Sequence, residues 1–177
     1  MMTKTKIHKL VYAAVCLALA MVLPLLTGQI PEVGSMLCPM HIPAFLCGFL
    51  CGWPWGFAVG FLSPLMRFVI FSMPPIYPTG ISMAFELAVY GAVSGLLYQK
   101  LPRSMGSVYI SLIAAMVAGR IVWGAAQLII AGLGGTSFPF AAFVSGAVTT
   151  AIPGIILQLV LIPAIVSAMR KAGLVLN

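Results

Sequence analysis

Three charged side chains interrupt otherwise apolar stretches of this sequence: Arg67, Glu86 and Arg120. An ionised group at the centre of a membrane helix costs about 2.5–3.5 kcal/mol or more, so each should face a protein interior and meet a partner there. Two guanidinium groups against one carboxylate leave a positive charge uncompensated, which a buried site rarely tolerates alone. An anionic ligand is one such partner, because an arginine fork grips a carboxylate in two places, with direction as well as strength. The alternative is structural: Glu86 pairs with one arginine and ties two helices together.

Helical spacing enlarges the set. Trp123, Gly124 and Gln127 share a face with Arg120, and Ser82 and Tyr90 lie one turn either side of Glu86. Charge, ring and amide together are what small-molecule pockets present among apolar walls. Thr149, Thr150 and Gln158 add polar groups near the C-terminus, and Glu32, Tyr77, Thr136 and Ser137 add them in links between apolar runs. Serine and threonine hydroxyls also bond back to their own helix, so these are secondary candidates. His41, at the start of an apolar run, reads first as a satisfied interfacial histidine.

Catalysis is not expected. The sequence has no phosphate loop of the G-x-x-x-x-G-K-[ST] kind, no H-E-x-x-H, no G-x-S-x-G and no aspartate, and two glutamates with two histidines leave little for a metal centre or an acid/base pair. No cofactor is implied. Cys47 and Cys51 lie four apart, but the spacing lacks the second pair or the histidines of a zinc site; these two, with Cys16 and Cys38, read as small packing residues.

The elements that would hold these groups are membrane helices. Of 177 residues, 62% are hydrophobic and 6% charged, and the mean hydropathy is +1.16. Two acidic and nine basic residues cannot clothe a soluble core of this size. The net charge of +7 sits at segment ends rather than on one face, which argues against a nucleic-acid surface. The first apolar run, Leu10 to Leu26, precedes Gly28-Gln29-Ile30-Pro31 without a small-x-small cleavage pattern, so it is expected to stay as a helix.

Apolar runs cover 10–28, 40–53, 55–73, 80–99, 106–132 and 139–169, with Pro- and Gly-rich punctuation between them, including Trp53-Pro54-Trp55-Gly56. Spanning a hydrocarbon layer of ~30 Å takes about 20 residues of helix, so the second run is short and reads as tilted or partly re-entrant. The expectation is an all-α integral membrane protein, one domain over 1–177, with six transmembrane helices. Lys4, Lys6 and Lys9, then Lys100 and Arg103, then Arg170 and Lys171 fall on one side in that scheme, which orients both termini to the cytoplasm, N-in and C-in. Links 29–39, 73–80 and 132–138 then face outward and form a rim over any ligand site.

On the same scheme Arg67 and Glu86 lie about 8 and 9 Å below the outer helix ends and Arg120 about 18 Å, at the 1.5 Å rise per residue. Tyr12, Trp53, Trp55, Tyr98 and Tyr109 fall near inner helix ends, where rings anchor in the headgroup region. Small residues recur four apart, at Ala14 and Ala18, Cys16 and Ala20, Gly48 and Gly52, Gly56 and Gly60, Gly91 and Gly95, and Ala115 and Gly119, permitting close helix approach.

The size, six helices with both ends inside, Ala14-Val15-Cys16-Leu17-Ala18 on the first helix, Leu46-x-Gly48-x-x-x-Gly52, and a Pro-rich outer loop before helix four together resemble the S components of energy-coupling factor (ECF) transporters. These are vitamin-binding membrane subunits of bacteria and archaea. The resemblance spans nearly the whole chain. It implies an S-component-like bundle in a prokaryotic plasma membrane. Ala14 and Ala18 would pack on a transmembrane coupling protein, and two cytoplasmic ATPases would drive the cycle. It also implies a high-affinity micronutrient site at the outer ends of helices four to six. From the charges, Arg67, Glu86, Arg120, Trp123, Gln127, Tyr77 and Tyr90 are the residues expected at that site, and the two arginines favour an acidic, pantothenate-like cargo. The rival readings are a stand-alone secondary transporter or channel, which would need a coupling-ion site or echoing halves, and an assembly subunit without a ligand.

Overall fold

A computed structural model describes residues 2–27, 30–134, 145 and 150–176. Among them every regular element is helical. Helix α1, Met2–Val22, tightens into a 3-10 turn at Leu23–Thr27, where Pro24 has no N–H to continue the ladder. Helix α2 is a seven-residue piece, Pro31–Leu37, with proline in its first turn and Cys38 closing it in the left-handed region at φ 48°. The first link therefore carries a helix that the sequence of 29–39 does not announce.

Helix α3, His41–Cys51, has only 11 residues, and all of them are buried. At 1.5 Å per residue it is about 16 Å long, half the thickness of a bilayer core. A helix apolar all round belongs inside a bundle, and α3 packs against α1, against α4 at Trp53–Phe71, against α5 at Ile81–Lys100 and against α7 at Ile152–Lys171. Its chain ends are covered by protein, which is what makes so short a helix tolerable at membrane depth. Helix α6, Met105–Leu133, completes the bundle, starting at Ser104, whose Oγ accepts the Ser107 N–H at 3.2 Å.

Among the described residues, five helical stretches are long and apolar enough to cross a membrane: Thr5–Leu26, Trp53–Phe71, Ile76–Lys100, Met105–Leu133 and Ile152–Lys171. The break between α3 and α4 falls at Gly52, with φ 98°, and not at Trp53-Pro54-Trp55-Gly56 as the punctuation implied. Pro54 occupies the first turn of α4, where its missing N–H leaves no bond unmade. Most of 139–151, the start of the last apolar run, lies outside the described residues, as do Thr136, Ser137 and Thr149.

Glycines set the spacing of α3, α4 and α5. A Cβ added at Gly48 would collide with Gly91 O, one at Gly91 with Gly56 O, and one at Gly60 with Leu87 O; each meets backbone, which cannot swing aside. Gly95 abuts the chain at Gly52 and Trp53 in the same way. The small-x-x-x-small pairs of these helices thus pack within the chain. On α1, by contrast, Cys16 and Ala20 face the core while Ala14 and Ala18 are exposed between Val11 and Leu19.

Lys9, Arg103 and Arg170 share one end of the bundle. Arg170 Nη1 donates to Arg103 O at 2.7 Å, the Leu176 N–H donates to Leu50 O at 2.9 Å, and Cys51 Sγ lies 3.7 Å from Lys9 O. Tyr98 departs from the expected interfacial role: it is 2% exposed, under the edge of Phe49 at 5.3 Å. Position four residues on from Ser94 on the inward stripe of α5 puts it in the core. Trp53 and Tyr109 are exposed near the basic end, as anchors would be.

Gly91→Ala should lower stability by about 1–3 kcal/mol, read from thermal unfolding of the detergent-solubilised chain. Gly132→Ala, where nothing lies within 4 Å of the added methyl, should leave the midpoint unchanged or raise it. Equal losses at both positions would contradict the interlock.

Candidate functional site

Glu86 lies in the second turn of α5 with 1% of its surface exposed. A carboxylate so deep must be compensated, and two donors reach its Oε1 while an imidazole stands just beyond hydrogen-bond distance. Tyr90, one turn further along α5, donates its hydroxyl at 2.7 Å. Arg120 of α6 brings Nη1 to 3.0 Å, and His41, the first residue of α3, brings Nε2 to 3.6 Å.

The pairing of Glu86 with Arg120 across different depths is a matter of helix length. Arg120 is about 20 Å from the end of α6 and Glu86 about 8 Å from the start of α5, at 1.5 Å per residue. Antiparallel packing at this register leaves α6 overhanging α5 by roughly 12 Å on the same rise. Tyr77, in the turn of Ile76–Gly80 ahead of α5, meets the overhang by donating its hydroxyl to Ile130 O at 3.1 Å. Gln127 of α6 donates to Ser82 Oγ at 3.3 Å, and the Ser82 hydroxyl itself lies 2.9 Å from Thr79 O. The half of the α5–α6 seam away from Lys100 and Arg103 is thus stitched at Tyr77, Ser82 and Glu86.

Arg120 has a second neighbour in Cys38, whose Sγ lies 3.9 Å from Nη2. Cys38 ends α2, and a Cβ at Gly154 of α7 would sit 2.6 Å from Met36 O, so α2 rests on the first turns of α7. Gln158, one turn along α7 from Gly154, is 4% exposed. Trp123, one turn from Arg120 on α6, is half-buried.

Arg67 does not join this cluster. Its Nη1 donates to Met21 O in the last turn of α1 at 2.7 Å, and its guanidinium lies 5.0 Å from the centre of the Phe71 ring. The carbonyls of a helix's last turn lack intrahelical donors, and a buried one requires a partner from elsewhere. The fork expected of two convergent arginines is therefore absent from the described geometry. Of the other expected residues, Tyr90, Arg120, Gln127 and Tyr77 are linked to the Glu86 neighbourhood, while Thr150 is half-buried ahead of α7 and the Glu32 side chain is outside the described residues.

His41 was underrated by its position in the sequence. It is 4% exposed, sits 5.2 Å from the Tyr90 ring, and neither ring nitrogen has a hydrogen bond among the described residues. The signal was the position: a histidine opening an all-apolar segment one turn after Cys38. A second legible signal was the strict four-residue repeat Ser82, Glu86, Tyr90, Ser94 and Tyr98, every member of which is 2% exposed or less. It marks the inward stripe of α5. Tyr90 is seated on it by stacking with Phe45 at 4.7 Å and by Gly119 of α6, where any side chain would strike the ring.

Fold and site define a polytopic helical membrane protein with a compact polar cluster buried toward the end opposite its basic residues. Residues 8–166 match the family model for "ECF transporter, substrate-specific component", and the chain belongs to that family. No curated protein and no solved structure gives a match.

Truncating one member of a buried ion pair strands the other. Arg120→Ala should therefore cost about 3–5 kcal/mol, whereas Glu86→Gln/Arg120→Gln together should cost clearly less than the two single glutamine changes added. A double-mutant cycle on thermal unfolding in lipid nanodiscs measures this, and strict additivity would show the pair to be uncoupled.

Proposed function

We propose that this chain is the high-affinity substrate-binding subunit for ATP-driven uptake of a vitamin or related micronutrient. It works with a separate transmembrane coupling protein and two cytoplasmic ATPases in a prokaryotic plasma membrane. The observation that carries the reading is the cluster of Glu86, Arg120, Tyr90 and His41, polar groups from α3, α5 and α6 at one buried point in a bundle of this family. Ion pairs kept in membrane interiors mark substrate or ion sites.

The substrate lies against Glu86, Tyr90 and Arg120, with Trp123, Gln127 and Tyr77 toward the overhanging end of α6. Arg67 holds α1 to α4 rather than touching cargo. The chain has six spans in this reading, the short α3 being the second, with both termini in the cytoplasm; the shared end of Lys9, Arg103 and Arg170 supports that orientation. Ala14 and Ala18, small and outward-facing, support a docking face on α1 for the coupling protein. An anionic, pantothenate-like cargo needed both arginines at the site, and only Arg120 is there.

Native mass spectrometry of the purified chain should reveal a vitamin-sized compound carried from its host. An empty protein that no member of a vitamin panel stabilises would defeat the proposal. Ala14→Trp with Ala18→Trp should leave that binding within about two-fold, a free-energy change of ~0.4 kcal/mol, while abolishing co-purification with the coupling protein.

A further inference from the structure

The charge count around Glu86 limits what the site can hold. Glu86 and Arg120 cancel at 3.0 Å. Of the nine basic residues, seven (Lys4, Lys6, Lys9, Lys100, Arg103, Arg170 and Lys171) belong to the terminal and turn segments of the basic end. The eighth, Arg67, is committed to Met21 O and the Phe71 ring. The acidic total is two, and the remaining acid, Glu32, can only add negative charge. No lysine or arginine is left over to meet an anion at this depth, where an unpaired charge is heavily penalised.

Hydrogen-bonding capacity, in contrast, is left over. His41 is 4% exposed, both of its ring nitrogens lack hydrogen bonds among the described residues, and its Nε2 approaches Glu86 Oε1 only to 3.6 Å. A neutral imidazole offers one donor and one acceptor. A buried polar group without a partner costs stability comparable to a lost hydrogen bond, so such a group in a binding subunit marks where a ligand completes the set. Resting on the binding-subunit reading above, we infer that the site takes an electrically neutral head group, one that both donates and accepts hydrogen bonds, seated against His41 and the Glu86–Arg120 pair. Amides, hydroxylated rings and amino-heterocycles have this character; carboxylates and phosphates do not.

Matched probes that differ by one ionised group test the charge class directly: nicotinamide against nicotinate, pantothenol against pantothenate, and pyridoxine against 4-pyridoxate. Each is titrated against the full chain in nanodiscs at pH 7, and any co-purifying compound is extracted and identified. In every pair that binds, the neutral member should bind at least tenfold tighter, and a co-purified compound should carry no net negative charge. Glu86→Gln leaves Arg120 uncompensated and should shift the ratio at least tenfold toward the anion, while Arg67→Gln should leave it within two-fold. Tighter binding of an anion by the unaltered chain overturns the inference, as does a ratio that Glu86→Gln does not move; if that variant does not fold, the ratio for the unaltered chain decides. Absence of any bound compound would defeat the binding-subunit reading itself and this inference with it.

Discussion

A carboxylate with almost no access to water organises the half of the bundle away from the basic residues. Glu86 cannot be left alone at that depth, and its compensation recruits the guanidinium of Arg120 from α6 and the phenol of Tyr90 from the next turn of its own helix, with the imidazole of His41 from α3 close by at 3.6 Å. Those demands fix relative positions. The register of α5 against α6, the overhang of α6, and the depth at which α3 begins all follow from bringing these atoms to one oxygen. Cys38 and α2 are then drawn over the cluster through the second nitrogen of Arg120.

The other half is organised by the absence of side chains. Gly48, Gly56, Gly60, Gly91 and Gly95 let three helix backbones touch, and lipid supplies no hydrophobic drive to hold helices together in its place. Dispersion between closely packed backbones and the burial of α3 on all sides fill that role. The two halves are complementary: close backbone contact without charged side chains near the basic end of the α3–α4–α5 seam, and an ion pair toward the other end.

Much of this was legible in the sequence. The apolar runs located α4, α5 and α6 to within two residues at each end, because lipid-exposed and core-facing positions are both apolar and only the turns are not. The shortness of α3 was visible too, and it reflects a helix enclosed by protein rather than lipid. What could not be read was pairing. Counting charges suggested that Arg67 and Arg120 act together, yet Arg67 is taken up by a main-chain carbonyl of α1, an acceptor that no side-chain pattern announces. His41 was discounted for the converse reason, since a lone histidine beside an apolar run carries no sign of the carboxylate that waits two helices away. Tyr98 looked like an interfacial anchor by distance along the chain, and the four-residue repeat on α5 shows why it is not.

The backbone interlock among the glycines divides the molecule into a part that tolerates little sequence change and a part that can drift. Any side chain at Gly48, Gly56 or Gly91 forces helices apart, so the frame is defined by residues that have no chemistry to vary. The groups around Glu86 add polar contacts between α5 and α6 to that frame without being part of the backbone interlock. Exchange of a few polar side chains there would change the chemistry of the buried cluster while leaving the glycine-set spacing of α3, α4 and α5 in place.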